Sequence, residues 1–181
     1  MPASRAKVRA KVAELLARDA ARYRPVPVAR LARDLGIQVV VKAFEGDEDV
    51  SGFYLRHGLE RVIGVNEAHP EVRRRFTIAH ELGHAVLDDQ DGIHVDTAFT
   101  YRLRNAKSSL AIDPAEIAAN QFAAELLMPA DEVRARVEAG IEFTDDGAMR
   151  DLAKHFGVSA QAMAFRLANL GLDIDGKAEF A

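Results

Sequence analysis

Residues 73–89, RRRFTIAHELGHAVLDD, limit what this chain can fold into more than any other stretch. Phe76, Ala79, Leu82, Gly83 and Val86 recur at helical spacing, which predicts a helix from Glu71 with a broad buried face. The same turns carry His80, Glu81 and His84. Burying such groups uncompensated costs about 1–3 kcal/mol each, so the fold has to supply them with a partner.

A metal ion is the partner that fits the spacing. Residues four apart share a helix face, so His80 and His84 can aim imidazole nitrogens at one point about 2.0–2.1 Å from each, the bond length of zinc. Glu81 lies one step round the helix. It cannot comfortably ligate the same ion, but it can reach a water there, which is the general-base position of the H-E-x-x-H pattern. The chain has no cysteine, so any metal must use His, Asp or Glu, and a disulfide scaffold, thiolate zinc sites and cysteine nucleophiles are excluded. The absence of cysteine is compatible with a reducing cytosol.

A catalytic zinc needs a third protein ligand. The H-E-x-x-H-x-x-G-x-x-H continuation requires glycine at 87 and histidine at 90, where the chain has Leu87 and Gln90, and is excluded. Asp88, His94, Asp96 and Glu116 remain. Asp88 falls near the helix end, and His94 and Asp96 lie in an Asp- and Gly-rich connection, positions suited to solvated or structural roles. Glu116 stands in the first turn of a second helix whose Ile117, Phe122, Ala124 and Leu127 face a core, which makes a more rigid platform. A first-turn glutamate held by the helix dipole is the competing role for Glu116. Asn120, one turn on, can hydrogen-bond the far nitrogen of a ligand histidine. The pair resembles the E-x-x-x-D of thermolysin-like gluzincins, with an amide in place of the carboxylate. Tyr54, His94 and Tyr101 are candidate oxyanion donors, none of them assigned.

Around this centre the chain reads as α+β. A basic first helix with a stripe of Val8, Val12, Leu15 and Leu16 should end near Arg24, before Pro25 and Pro27. VARLARDLG predicts a short helix closed by Gly36. IQVVVKAF, SGFYLR and RVIGVN predict three antiparallel strands, the last two joined by a turn at His57-Gly58. TAFTYRLR is a possible fourth strand within 88–113, a connection that could be a lid or a sheet edge. Asp113-Pro114 opens the second helix of the centre and Pro129 ends it. The tail AMRDLAKHFGVSAQAMAFRLANLGL has helix-turn-helix spacing. The expected division is an N-terminal helix at 1–24, a core at 25–130, and a helical segment at 131–181 packed on that core.

Among 181 residues, 49% hydrophobic and 29% charged with a net charge of −4, nothing approaches membrane-spanning length and no leader is evident, so a cytoplasmic protein without membrane attachment is expected. The second tail helix carries only Arg166 as a charged side chain, beside Met163, Phe165 and Leu167. Direct DNA binding is therefore disfavoured against packing or docking of a protein.

FTIAHELGHAVLD followed by EIAANQFAAELLMP closely resembles the ImmA/IrrE family of bacterial metallopeptidases, with SGFYLR and RVIGVN similar to its hairpin strands. The resemblance implies a zincin-like α+β domain binding zinc, or sometimes manganese, through two histidines and a glutamate. It makes His80 and His84 ligands, Glu81 the catalytic glutamate and Glu116 of ExxAN the third ligand. It further implies cleavage of a helix-turn-helix repressor, inducing stress-response or mobile-element genes. Members with a C-terminal sensory domain exist, and none is expected within these 181 residues. The competing expectation is a DNA- or protein-binding regulator whose metal site is structural.

Overall fold

A computed structural model describes residues 3–44, 50–88, 91–96, 113–139 and 146–172. In chain order it has α1 (Arg5–Leu16), a 3-10 turn (Asp19–Arg22), α2 (Val28–Asp34), β1 (Gln38–Lys42), β2 (Gly52–His57) and β3 (Glu60–Asn66). These are followed by α3 (Glu71–Leu87), β4 (Gly92–Asp96), α4 (Pro114–Leu127), α5 (Ala130–Glu138), α6 (Asp146–Phe156) and α7 (Ala160–Asn169). The class is the α+β expected.

The sheet differs from the expected antiparallel one. Its order is β1-β3-β2-β4, and β1 runs parallel to β3, from Gln38 opposite Val62 to Lys42 opposite Asn66. β2 and β3 form the predicted hairpin, with Gly58 at φ +57° starting its two-residue loop, as primed hairpin turns require. Because β4 takes the other side of β2, β1 must use the free edge of β3. The apolar alternation of IQVVVKAF specifies a strand and not its direction, since both ladders share a side-chain period of two. β4 itself lies in a stretch read from composition as connection, and TAFTYRLR lies outside the described residues.

α1 also stops earlier than expected. Its last fully buried stripe residue is Leu15, and once that stripe ends the chain turns into the 3-10 segment instead of continuing to Arg24. Ser4 caps the start, accepting from the Lys7 N–H.

α3 lies between the sheet and α4, and one core joins α1, α2, the sheet and the C-terminal helices through Val8, Leu31, Ile63, Leu82, Phe122 and Phe156. Two glycines set the close approaches around α3. A Cβ on Gly83 would stand 3.1 Å from Ala119 Cα and from Phe122 Cδ1, so α3 and α4 touch nearly backbone to backbone there. A Cβ on Gly52 would meet Thr77 Cγ2 at 2.4 Å and the Gly64 carbonyl at 2.7 Å, which presses the start of β2 onto α3.

The C-terminal helices are docked by two arginines, half-buried Arg75 and buried Arg166. Arg75 of α3 donates from Nε to the Gly157 carbonyl at 3.1 Å, in the turn between α6 and α7, and from Nη2 to the Val26 carbonyl at 2.9 Å. Arg166 of α7 donates to the Met128 carbonyl at 2.9 Å, satisfying an orphan acceptor at the end of α4. No helix among the described residues is long and apolar enough to cross a membrane.

Candidate metal centre

α3 buries His80, Glu81 and His84 together. Its last turn is held from outside the helix, where Lys7 Nζ donates to the Leu87 carbonyl at 2.8 Å. α4 starts at Asp113, whose side chain accepts from the Ala115 N–H at 2.8 Å with Pro114 at the first helical position. That cap places Glu116 in the first turn, and the Gly83–Ala119 contact brings the turn over the two histidines.

His80 Nε2 and His84 Nε2 are 3.1 Å apart, and the Glu116 carboxylate lies 3.3 Å from the first and 3.2 Å from the second. Ligands at zinc's bond length, tetrahedrally placed, stand about 3.3–3.4 Å from one another. The three residues singled out as ligands therefore have the spacing of a zinc shell.

Protonation agrees with that geometry. His80 Nδ1 is 3.2 Å from Asn120 Oδ1, and since an amide oxygen only accepts, the proton belongs on Nδ1 and the Nε2 lone pair faces the cluster. Burial pushes the His84 imidazole below its ordinary pKa; its hydrogen bond to Glu116 opposes this, while His80 and His94 push it further down. Burial by itself would raise the Glu116 carboxyl, but the imidazoles of His80, His84 and His94 around it outweigh that and hold the group well below the usual carboxylate range. Neutral imidazole and ionised carboxylate are the forms that metal ligands take. Two imidazole nitrogens and an ionised carboxylate converging at this spacing suit a cation between them, so these residues fit the ion that the motif implies.

The cluster has a fourth member that sequence reasoning set aside. His94 of β4 brings Nε2 to 2.8 Å from Glu116 Oε1, and its ring lies 3.8 Å from that of His84 at a tilt of 34°. Ligand atoms of His80, His84, His94 and Glu116 all lie within 4.8 Å of one another. Pairing of Tyr54 with His94 turns both side chains to the α3 side, while Ile93 points outward and is exposed. The alternation of apolar and polar residues in GIHVD was the signal available for this strand.

The other candidates fall elsewhere. Asp88 is exposed just past the end of α3 and outside the cluster. Asp96 is described by its backbone, paired with Gly52. Tyr54 is buried with its hydroxyl accepting from Arg61 Nε at 3.1 Å, and the same guanidinium donates to the Leu35 carbonyl. Tyr101 lies outside the described residues. Glu81 is fully buried on the β2 side of α3, its Cγ 3.8 Å from where a side chain on Gly52 would begin.

An H-E-x-x-H helix joined by a glutamate from the following helix and backed by a small sheet defines the zincin-like class of metallopeptidase domain. Residues 32–168, which include the whole cluster, match Peptidase_M78, the IrrE N-terminal-like domain, and the chain belongs to that family. Radiation response metalloprotease IrrE of Deinococcus radiodurans is 34% identical over 107 residues, 59% of this chain and 30% of that protein. Uncharacterized immunity region protein 2 of Bacillus phage phi105 is 33% identical over 113 residues, 62% of this chain and 63% of that protein. A Mycobacterium tuberculosis transcriptional regulator of solved structure shares the fold, with a TM-score of 0.58 at 21% identity over 89% of this chain and 55% of its own. The chain thus spans less than two thirds of the length of each.

Proposed function

We propose that this protein is a metal-dependent endopeptidase, with His80, His84 and Glu116 holding zinc, or manganese in its place, and Glu81 as general base. The observation that carries the reading is the 3.1–3.3 Å spacing of the three ligands, with a buried glutamate one residue along the same helix. When bound, the ion supplies Lewis acidity toward a scissile carbonyl and a water. Glu81 takes the proton from that water and passes it to the leaving amine. Asn120 keeps His80 in the ligating tautomer. An extended substrate can add as a strand to the edge that β4 forms among the described residues, beside the cluster.

The substrate we favour is a cytoplasmic helix-turn-helix repressor whose loss induces a stress-response or mobile-element regulon. Support comes from the family, and from relatives named for a radiation response and for an immunity region. The helix-turn-helix-like tail serves packing in this reading, because Met163 and Leu167 are buried and Arg166 is committed to the Met128 carbonyl.

Elemental analysis of tag-free protein tests the centre, with about one zinc or manganese per chain expected in wild type and much less in Glu116→Ala. Wild type that takes up neither metal when supplied would remove the hydrolase reading. Glu81→Gln should keep the metal and lose cleavage of the repressor, and cleavage at the wild-type rate would unseat Glu81.

A further inference from the structure

Building on the metal reading above, we propose that His94 is a fourth, displaceable protein ligand, so that the resting centre is a closed shell of three histidines and a glutamate. Zinc sites with four protein ligands are closed, whereas hydrolytic ones keep a position for water. A hydrolytic centre containing His94 must therefore release it before turnover.

The anchoring of the four side chains shows which one can leave. His80, His84 and Glu116 stand on helices that meet at Gly83 and Ala119, and the two histidine side chains are 1% and 7% exposed. His94 is 35% exposed and stands on a five-residue strand that, among the described residues, is paired on one side only. Its distance also sets it apart. The three helix-borne ligands have tetrahedral-edge spacings, while His94 Nε2 lies at 2.8 Å from Glu116 Oε1, a hydrogen-bond length. The loosest ligand thus belongs to the strand against which an extended substrate would pair, so strand addition and release of His94 act on the same segment.

The competing role for His94 is a donor that merely orients Glu116. Cobalt(II) separates the two, because its visible absorption reports coordination geometry without any substrate. Wild type, His94→Ala and His94→Phe would be loaded with cobalt alone and titrated with azide; the Phe variant keeps a ring against His84, and circular dichroism checks folding. Expected is one cobalt in each protein, a spectrum shifted in both variants, and azide binding in the variants at concentrations that leave wild type unchanged. Superimposable spectra with the same azide response would overturn the fourth-ligand assignment alone. Folded variants that bind no cobalt would make His94 obligatory and overturn its displaceability. Wild type that binds no cobalt would overturn the metal reading and this inference with it.

Discussion

Asn120 accepts from His80 Nδ1, and that single contact decides which ring nitrogen faces the cluster. Asn120→Leu should then weaken metal binding by about 10–100-fold, the usual cost of losing such a partner, while Asn120→Asp restores binding. Competition against a chromophoric chelator measures both, and equal affinities in all three proteins would deny Asn120 this role. Acid sensitivity of the metal-free protein follows from His84 and Glu116. Both pKa values are lowered from ordinary values of 6.5 and 4.5, so the folded chain binds fewer protons at these groups than the unfolded chain. Stability should fall as pH drops below 6.5, through His84, and again below 4.5, through Glu116. The denaturation midpoint of metal-free protein should be lower at about pH 5.5 than at about pH 7.5, with a flatter dependence in His84→Gln. A midpoint that rises on acidification would contradict the assignment. At this scale the sequence was informative wherever helix geometry relates the residues: i, i+4 spacing placed His80 and His84, and an N-cap with proline placed Glu116. His94 was not legible in the same way, because its position depends on which strand pairs with which and in what register.

Helix α3 meets α4 where Gly83 rests on Ala119, and this crossing sets the distance from Glu116 to both histidines. Gly83→Val puts a branched side chain where even a Cβ stands 3.1 Å from a backbone atom. The variant should lose about 1–3 kcal/mol by overpacking, despite valine's better helix propensity, and should also bind metal more weakly. Denaturant unfolding with metal titration reads both, and a variant with wild-type metal affinity would show that the crossing does not set the site. The caps of α4 and the hairpin turn at Gly58 were legible because each rests on a residue with one strong local preference. The pairing of β1 with β3 was not, since nothing local distinguishes a parallel from an antiparallel neighbour for a strand such as QVVVK.

Across the whole molecule, the ion's proposed ligands come from α3 and α4, with β4 as the added element, so occupancy should tie these elements together and appear as stability. An ion at a hundred times its dissociation constant adds about 2.7 kcal/mol, so a chelator should lower the melting temperature of wild type and leave Glu116→Ala unchanged. The tail is held by a different device. Arg166→Ala leaves the Met128 carbonyl without its donor, at a cost of about 1–3 kcal/mol if water cannot replace it. Met128 follows Glu116 by twelve residues, about 18 Å along a helix, a distance at which two effects are expected to add. The chelator should therefore lower the melting temperature of Arg166→Ala from a lower starting point and by the same increment as in wild type. A smaller increment would mean that the docked tail helps to hold the metal centre in shape, and that α4 transmits the loss of its C-terminal anchor back to Glu116.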